Sequence, residues 1–417
     1  MIRSPRGTND ILPQEINKWH YLEDAIRRVT NNFGYSEIRT PIFESTEVFS
    51  RSIGDTSDIV NKEMYSFIDR GNNSITLRPE MTAALVRACI QNSLANRGEL
   101  ERLWYYGPFF RYERPQKGRF RQFHQFGAEC LSSPNPESDA EVIILAHSLI
   151  SDLGIKDYTL NLNSLGNSFS RDRYRSNLID YFSKYKNDLS EDSLRRLESN
   201  PLRILDSKDT KDIEISHDSP QIIDSLDLES KTHIDSVFNI LDSLSISFTV
   251  SSKLVRGLDY YSHTVFEFQS NALGSQDSFG GGGRYDGLFE QLGGKFTPAV
   301  GFAFGIERLI LILETLEDKK SEGITDFYIV IGEEKFINNS FSVAAELRNK
   351  NYSVITDIQR KSFKSQMKDA NKTNARFVII LAQREFEENS FTLKNMRTGE
   401  QKQLNLDEIA QIENYIQ

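Results

Sequence analysis

Cysteine is scarce in this sequence of 417 residues, because Cys89 and Cys130 are its only two thiols. Disulfide scaffolds are typical of short secreted chains with several cysteines, and two thiols build no metal-ligand spacing. The sequence therefore indicates a reducing compartment and neither a disulfide framework nor a cysteine metal centre.

Long apolar runs are also lacking. No uninterrupted run approaches the roughly 18 residues that a membrane-spanning helix needs. The first residues, Met-Ile-Arg-Ser-Pro-Arg-Gly-Thr, lack the apolar centre of a secretory signal. We therefore expect a cytosolic protein without a membrane partner.

Positive charge is in deficit, since the formal net charge is −10. Proteins that bind nucleic acids usually carry a basic surface, so the acidic balance argues against such a partner. Total charge says little about a local patch, however, and the ordinary interpretation of the negative charge is solubility.

Glycine is missing from residues 170–247, which are rich in Ser, Asp and Lys and show helical patterns. This composition predicts a mostly helical insertion. A second boundary follows at 317–323, where no residue is apolar. These two features predict a large domain over 1–320, which contains the insertion, and a second domain over 325–417.

The periodicity of the large domain predicts both helices and strands. Helices are expected over 14–34 and Glu80–Leu94, and strands over Ser36–Thr40, Ile75–Leu77, Ser247–Val250 and Thr264–Gln269. Trp104–Cys130 predicts a long antiparallel hairpin with a basic loop, and Val300–Leu313 predicts a strand that continues as a helix.

The second domain shows an alternation of strand and helix patterns. Strands are predicted over Phe327–Ile331, Tyr352–Ile355 and Arg376–Leu381, with helices over Ser340–Lys350 and Lys361–Thr373. This order is typical of a small α/β domain with a partly parallel sheet.

The hairpin carries the first candidate site. Polar residues alternate there with aromatic ones, and the polar set is Arg111, Glu113, Arg119, Gln125 and Glu129. Alternation in neighbouring strands predicts one polar and one aromatic face, and guanidinium groups bind phosphoryl oxygens in a fork. A solvated sheet face with surface ion pairs is the alternative of about equal weight.

Three further segments are weaker candidates when each is taken alone. Leu254–Tyr261 places Arg256 beside Gly257, as in a tight turn. The four glycines at 280–283 permit positive φ angles and a close approach to a ligand. Gly301–Arg308 predicts a strand that leads into a helix whose first turn presents an arginine. The alternative for the first segment is a surface turn, for the second a structural glycine run, and for the third a buried amphipathic helix.

Taken in order, these segments resemble the class II aminoacyl-tRNA synthetases, and within them the histidyl-tRNA synthetase family, over essentially the whole length. Arg6–Pro13 is typical of that N-terminus, Tyr35–Phe43 is similar to motif 1, Phe110–Gln125 to motif 2 and Gly301–Arg308 to motif 3. Leu254–Tyr261 and residues 281–286 resemble the histidine-recognition signatures.

The resemblance implies a catalytic domain built on an antiparallel sheet flanked by helices, with the helical insertion and a C-terminal α/β anticodon-binding domain. It also implies an ATP-dependent ligase that forms histidyl-adenylate and pyrophosphate and then transfers histidine to the 3′ end of its tRNA. Mg²⁺ is implied by ATP, without ligands that the sequence identifies. A homodimer built through motif 1 is implied as well.

Roles for individual residues follow from the matched motifs. The catalytic arginines are Arg111 and Arg256. The set that binds ATP comprises Arg111, Glu113, Arg119, Phe123 and Arg308. The set that binds histidine comprises Glu80, Thr82, Gln125, Glu129, Tyr260, Tyr261 and Tyr285. A carboxylate and a hydroxyl on opposite sides of an imidazole would reject apolar residues of similar size.

Candidate tRNA contacts lie in two places. Arg114 and Gln116 are expected to meet the acceptor end from the motif 2 loop. In the second domain, basic residues recur every four positions at Arg360, Lys364, Lys368, Lys372 and Arg376. A helix there would turn a basic stripe towards RNA phosphates, whereas an ordinary lysine-rich solvated face is the alternative.

Two other functions compete with the ligase. One is a catalytically inactive, histidine-binding regulatory paralogue, which serves a histidine-biosynthetic phosphoribosyltransferase and needs neither Arg256 nor Arg308 nor the second domain. The other is a synthetase-like module of a stress kinase, or a protein that only binds RNA. The retained arginines and the absence of a kinase segment argue against both.

Overall fold

A computed structural model describes residues 2–53, 59–95, 98–205, 207–252, 254, 260–274, 277–316 and 325–416. The chain divides into two units, residues 1–317 and 318–417. Arg256, most of the Leu254–Tyr261 segment and the expected linker at 317–323 lie outside the described residues. No helix in the described ranges has the length and apolar character to cross a membrane.

The first unit alternates short strands with helices. Its helices are α1 (Ile16–Asn32), α2 (Thr46–Ile53), α3 (Thr82–Gln91), α4 (Pro136–Asp152), α5 (Ser168–Phe182), α6 (Glu191–Ser199), α7 (Thr210–His217), α8 (Leu228–Ser243), α9 (Leu288–Gln291) and α10 (Ile306–Leu313). Its strands are β1 (Ser36–Glu37), β2 (Phe43–Ser45), β3 (Tyr65–Ile68), β4 (Ser74–Leu77), β5 (Glu101–Phe110), β6 (Gln122–Leu131), β7 (Thr159–Ser164), β8 (Thr249–Val250), β9 (Ser262–Gln269), β10 (Ser278–Arg284) and β11 (Ala299–Gly305).

A large sheet forms the centre of this unit. As far as the chain is described, its strand order is β1-β5-β6-β11-β10-β9-β7-β8. The six central strands pair antiparallel, and the short strands β1 and β8 add parallel pairs at the two edges. The predicted hairpin is confirmed as β5 and β6, and the predicted strand-to-helix segment is confirmed as β11 and α10.

Side-chain alternation decides which face of the sheet is packed. On β6, Phe126, Ala128 and Cys130 belong to an apolar core that also holds residues of α1, α4, α8 and α10. Gln125 and Glu129 alternate with them and therefore point to the other face. One face is thus sealed by helices, and the opposite face is available for a site.

The glycine-free segment is helical, as predicted. In the part of residues 170–247 that the structure describes, helices and short 3₁₀ turns occur without a strand. Its last helix, α8, nevertheless places Ile234, Val237 and Leu241 in the core of the large sheet. The helices that project away from that core are therefore α5 to α7, which we call the insertion helices.

A small antiparallel sheet, β2-β4-β3, carries an unusual apolar face. The pairings Phe43 with Leu77, Leu77 with Tyr65 and Ile75 with Phe67 place all five side chains on one side. Phe43 and Phe67 are 55% and 48% exposed. We call this surface the apolar sheet face.

The second unit is an α/β sheet, as predicted. Its strands are β12 (Phe327–Ile331), β13 (Val354–Thr356), β14 (Phe377–Leu381), β15 (Ser390–Asn395) and β16 (Gln401–Asn405), and its helices are α11 (Ile337–Asn349), α12 (Phe363–Lys372) and α13 (Gln383–Glu387). β12 lies between β13 and β14 in parallel, and β15 and β16 extend the sheet antiparallel. Every residue of β12 is buried, as expected for a central parallel strand.

The predicted basic stripe is only partly helical. α12 carries Lys364, Lys368 and Lys372, but Arg360 has a φ of 52° before the helix, and Arg376 follows it. Arg360 pairs with Glu334 at 3.3 Å, and Arg376 pairs with Asp326 at 3.3 Å. The continuous five-residue stripe was therefore wrong, because the helix ends at Lys372 and Asn374 turns the chain with a φ of 53°.

A buried ion pair anchors the strand with the glycine run. Arg284, at the end of β10, pairs with Asp139 at the start of α4, and both side chains are almost completely buried. Burial alone would raise the pKa of Asp139, but Arg284 and then His233 outweigh it and hold the value at about 2. Asp286 and the carbonyls of Ser133 and Asn135 accept the other guanidinium hydrogens.

Replacing Asp139 by Asn should destabilise the first unit by about 3 kcal/mol, because a buried guanidinium loses its main counter-charge. The only tryptophans, Trp19 and Trp104, lie in the core of that unit, so urea unfolding followed by tryptophan fluorescence reports it selectively. Asp192→Asn, which removes an exposed partner of Arg195, is the matched control and should leave the midpoint unchanged. Equal midpoints for the two variants would contradict the assignment.

Candidate active site

A cavity of about 440 Å³ lies on the open face of the large sheet. Its floor includes the small residues Gly281 and Ala303, which pair across β10 and β11. Their small size leaves room for a ligand. The composition of β10 and β11 therefore helps to form the cavity.

The glycine run acts differently from the prediction. Residues 280–283 lie within β10, and none of them has a positive φ angle. Their role is close packing: a Cβ on Gly280 would lie 2.0 Å from the Phe304 ring, and one on Gly283 would lie 2.9 Å from the Tyr261 ring. The positive φ angles that glycine permits are therefore not used here, although Gly280 and Gly281 do line the cavity, because extended strands also need glycine where rings lie directly on the backbone.

Glu129 occupies the inner end of the cavity. Its Oε1 accepts a hydrogen bond from Thr82 Oγ1 at 3.1 Å, and its Oε2 accepts one from the Tyr285 hydroxyl at 2.7 Å. The carboxylate leans over Gly301 of the next strand, where a Cβ would come within 1.4 Å of Oε2. Burial raises the pKa of Glu129 to about 8, and the nearby Glu80 adds to the shift, while the two hydroxyl donors oppose it.

Glu80 lies beside Glu129 at the start of α3. Its carboxylate accepts hydrogen bonds from the backbone N–H groups of Thr82 at 2.7 Å and Ala83 at 2.9 Å. Burial raises the pKa of Glu80, although these N–H groups and Arg111 offset part of the effect. The inner end therefore holds two buried acidic groups, which suit a ligand that brings donors and positive charge.

Tyrosines close the inner end. The rings of Tyr260 and Tyr261 lie 4.7 Å apart, and Tyr260 lies 5.7 Å from Tyr285. Tyr105, which the sequence analysis did not single out, lines the same wall. Its ring covers Gly127, where a Cβ would lie 2.3 Å from the Tyr105 hydroxyl. Tyr105 could have been predicted from the sequence, because it pairs with Gly127 across the predicted hairpin and a glycine leaves space for a ring.

Arginines surround the outer end of the cavity. Arg119 pairs with Glu113 at 2.6 Å, and Arg111 lies 3.9 Å from the same carboxylate. Arg308 enters from α10 and donates to the carbonyls of Gly118, at 3.2 Å, and Ser278. Burial lowers the pKa of Arg308, and repulsion from Arg119 and Arg111 adds to this, while Glu113 opposes it. Three guanidinium groups thus converge on the outer end, and guanidinium groups bind phosphoryl oxygens in a fork.

The expected separation of polar and aromatic faces holds only in part. Phe123 shares a strand face with Gln125 and Glu129 and lines the cavity, whereas Phe126 faces the helices. The guanidinium of Arg111 lies over the Phe123 ring at 5.3 Å. Arg111, Glu113 and Arg119 lie in the loop beyond the strands, so strand alternation does not govern them.

The basic loop of the hairpin is held by the N-terminal segment. Gly118 turns the loop with a φ of 72°, and Gln116 and Arg119 exchange backbone hydrogen bonds across it. The backbone N–H of Arg121 donates to the Gly7 carbonyl at 2.7 Å. Arg114 and Gln116 are exposed on this loop and are not part of the cavity wall.

The cavity brings together twelve of the residues predicted for histidine or ATP: Glu80, Thr82, Arg111, Glu113, Arg119, Phe123, Gln125, Glu129, Tyr260, Tyr261, Tyr285 and Arg308. Arg256 lies outside the described residues. Arg360, Lys364 and Lys368 belong to the second unit. Besides Tyr105, the cavity wall contains four residues that were not predicted, because no local pattern marks them: Lys208, Glu267, Asp277 and Ser278.

Comparisons with known proteins agree with this geometry. Residues 7–309 match the family described as histidyl-tRNA synthetase, and residues 326–412 match the anticodon-binding domain. The histidine–tRNA ligase of Acaryochloris marina is 48% identical over 97% of this chain and 94% of its own length. That of Streptococcus uberis is 46% identical over 98% and 97%.

Solved structures give the same result. The apo histidyl-tRNA synthetase of S. aureus superimposes with a TM-score of 0.84 and 37% identity, over 99% of both chains. An ATP phosphoribosyltransferase regulatory subunit/histidyl-tRNA synthetase from Bacillus halodurans shares the fold, with a TM-score of 0.66 and 24% identity over 92% of this chain and 98% of that one.

The antiparallel sheet, its open polar face and these matches define an aminoacyl-tRNA synthetase. Within that class, the chain belongs to the histidyl-tRNA synthetase family.

The raised pKa of Glu129 makes a prediction about stability. Between pH 4.5 and about 8 the folded protein keeps a proton on Glu129 that the unfolded chain has released. Unfolding therefore releases a proton, and the free energy of unfolding falls as the pH rises through this range. Glu129→Gln does not titrate, so wild type should lose stability relative to this variant, by a few kcal/mol, between pH 5 and pH 9.

Urea unfolding at pH 5.5 and 8.5, followed by tryptophan fluorescence, measures this difference. Glu290→Gln, which changes an exposed glutamate on α9, is the matched control and should keep the pH dependence of wild type. A Glu129→Gln variant with the same pH dependence as wild type would show that Glu129 is ionised throughout.

Proposed function

We propose that this chain is a histidine–tRNA ligase, which activates L-histidine with ATP and transfers it to its tRNA. One observation carries the proposal: a single cavity places the acidic, tyrosine-lined pocket around Glu129 at one end and the arginines around Glu113 at the other. An amino acid and a nucleoside triphosphate need these two chemistries side by side.

Histidine fits the inner end. Glu129 accepts from one imidazole N–H, and the Tyr261 hydroxyl meets the other ring nitrogen. Burial, followed by the adjacent Glu129, raises the pKa of the Tyr285 hydroxyl, which therefore stays protonated and donates to Glu129. Glu80, Thr82 and Gln125 surround the α-ammonium. An apolar side chain of similar size would leave Glu129 buried without a ligand partner, which disfavours it strongly.

ATP fits the outer end. Adenine stacks on Phe123, Arg111 grips the α-phosphate, and Arg308 holds the γ-phosphate. Glu113 and Arg119 complete this nucleotide site. The histidine carboxylate attacks the α-phosphorus, the bond to the β-phosphate oxygen breaks, and pyrophosphate leaves. Always-charged guanidinium groups stabilise the charge that develops on the phosphoryl oxygens. By the family resemblance, Arg256 approaches the same phosphate from the other side.

Mg²⁺ accompanies ATP in this proposal. No group of three or more His, Cys, Asp or Glu side chains in the described residues could hold a metal by itself. Glu267 and Asp277 line the outer cavity, however, and one or two carboxylates suffice for an ion that keeps phosphate and water ligands. These two residues would hold the ion, which supplies charge neutralisation at the phosphates.

The tRNA is the second substrate. Its terminal hydroxyl attacks the carbonyl carbon of the adenylate, and AMP leaves with the phosphate. The anticodon-binding match over 326–412 supports this partner. Arg114 and Gln116 are exposed for the acceptor end, and Lys364 and Lys368 lie on α12, with Arg360 just before it. Arg360 contributes the least in this proposal, because it is paired with Glu334.

A homodimer completes the proposal. The apolar sheet face exposes Phe43 and Phe67 on one side of a short sheet, an arrangement that is unfavourable in water and typical of a subunit interface. Motif 1, which resembles the dimer-forming segment of the family, includes Phe43. For the compartment we propose the cytosol, with which two free and buried thiols agree.

The inactive regulatory paralogue is the second candidate, but no observation favours it. Such a protein does not need the Arg111 and Arg308 cluster, which is present here, or the second unit, which matches the anticodon-binding domain. The relatives of 46–48% identity over nearly the whole chain are histidine–tRNA ligases.

Purified protein should catalyse ATP–pyrophosphate exchange with histidine and with no other amino acid. Glu129→Ala should lower this exchange at least about 100-fold, because a fixed acceptor for the imidazole is lost. Glu290→Ala, on the surface, should keep wild-type exchange. Folded protein that binds histidine without exchange would point to the regulatory paralogue, and near-normal exchange in Glu129→Ala would overturn the assigned role of Glu129.

The dimer is tested by placing charge on the apolar sheet face. Phe43→Lys together with Phe67→Lys should convert the dimer to a monomer, because two charges cannot be buried unpaired at an interface. Light scattering coupled to gel filtration measures the mass. Phe169→Lys, which changes a 65% exposed phenylalanine on α5, is the control and should leave a dimer. A monomeric wild type, or a dimeric double variant, would contradict the proposed interface.

A further inference from the structure

The first insertion helix reaches the wall of the histidine pocket. Arg171, in the first turn of α5, donates from Nη1 to the backbone carbonyl of Tyr261 at 2.7 Å. A charged donor at this distance makes one of the stronger hydrogen bonds in proteins. Tyr261 lies at the end of the histidine-recognition segment, so the contact joins the insertion helices to the site itself.

Tyr261 is linked to Glu129 through a short series of contacts. Its ring packs against Tyr260 at 4.7 Å, Tyr260 packs against Tyr285 at 5.7 Å, and Tyr285 donates to Glu129. The Tyr261 ring also rests on Gly283 of β10. A shift of the Tyr261 backbone therefore moves the wall that faces the imidazole.

At the base of the insertion, hydrogen bonds join the start of α5 to the start of α8. Asn167 caps α5 by accepting from the Ser170 N–H, and its side chain donates to Asp227 at 2.6 Å. Asp227 in turn caps α8 by accepting from the Ser230 N–H, and Ser170 Oγ accepts from the Asp227 N–H. The two helix N-termini where the insertion leaves and rejoins the core are thus capped and bound to each other.

The same base holds the chain just beyond Tyr261. The N–H of His263 donates to the Gly166 carbonyl at 2.9 Å, and the N–H of Leu165 donates to the His263 carbonyl at 2.7 Å. Residues 261 and 263 are therefore both attached to the segment that begins the insertion. Arg171 supplies the side-chain part of this attachment, and the backbone pair supplies the rest.

The insertion also contributes directly to the cavity wall, at Lys208. The preceding residue, Ser207, donates to the Asp212 carboxylate at 2.6 Å, and Ser190 and Ser193 donate to the same carboxylate. This cluster fixes the loop that presents Lys208. The insertion therefore reaches the pocket wall at Arg171 and Lys208, and α5 also shares an apolar core with the pocket tyrosines through Tyr174 and Leu178.

We propose that Arg171 is a positioning residue for histidine binding, through which the insertion helices hold the Tyr261 wall of the pocket in place. The proposal rests on the function proposed above. Arg171 acts on the amino acid through the Tyr261 backbone, and it is not among the described residues that line the nucleotide end. Loss of Arg171 therefore weakens histidine binding selectively, and the effect on ATP is small.

Arg171→Ala tests this role, with Arg175→Ala as the matched control. Arg175 lies one turn further along α5 and also donates to a backbone carbonyl, that of Ser199 at 3.1 Å, but this contact stays within the insertion. We expect Arg171→Ala to raise the dissociation constant and the KM for histidine about tenfold, the usual effect of losing one charged hydrogen bond. The KM for ATP should stay within about twofold, and Arg171→Lys should restore part of the affinity.

The readouts are calorimetric titration with histidine alone and pyrophosphate exchange with each substrate varied. Arg175→Ala should match wild type in both. The positioning role is overturned if Arg171→Ala binds histidine as tightly as Arg175→Ala does. It is also overturned if Arg171→Ala weakens the binding of histidine and of ATP equally and lowers the melting temperature. Because the titration needs no ATP, wild-type protein that binds histidine without exchange overturns the proposed function alone.

Discussion

The site depends on glycines in β10 and β11, because side chains from neighbouring segments lie directly on the backbone at these positions. Gly301 leaves the space that the Glu129 carboxylate fills, since a Cβ there would come within 1.4 Å of Oε2. Gly283 does the same for the Tyr261 ring. Glycine weakens an isolated strand, because it loses more conformational freedom on folding than other residues. Here that cost is offset by the opposite face, where Phe302 and Phe304 pack into the core that the helices cover.

Electrostatics then divides the cavity into two ends. Glu80 and Glu129 are buried together, which is unfavourable while the pocket contains no positive charge or donor beyond its own walls. Glu80 is satisfied by the N–H groups at the start of α3, and Glu129 by two hydroxyls, so within the described part of the chain neither carboxylate has a guanidinium in hydrogen-bond contact. The arginines instead gather at the other end, around Glu113. A pocket of this kind lowers the stability of the empty protein, and a ligand with the complementary groups recovers the loss.

Sequence reasoning predicts most of this fold and only part of the site. The hairpin, the glycine-free helical segment and the α/β second unit follow from periodicity, because each element buries its own repeating face. The extended conformation of residues 280–283 does not, since glycine alone cannot distinguish a turn from a strand covered by rings. Tyr105 and Lys208 were missed for a related reason: each reaches the cavity through tertiary packing, which no local spacing encodes. Arg360 and Arg376 were wrongly predicted to lie on the basic helix, because the four-residue spacing of charge continues beyond both ends of that helix.

The insertion illustrates how such tertiary links carry function. The helix starts at Asn167 and Asp227 are joined by hydrogen bonds to one another, in addition to capping their own helices. Two backbone hydrogen bonds to His263 place this base of the insertion next to the histidine pocket. A ligand that binds the insertion helices and shifts α5 would act on the Tyr261 carbonyl through Arg171 and on the Tyr261 ring through the apolar core that Tyr174 shares with it. By thermodynamic linkage, histidine in the pocket must then change the affinity for that ligand by the same factor.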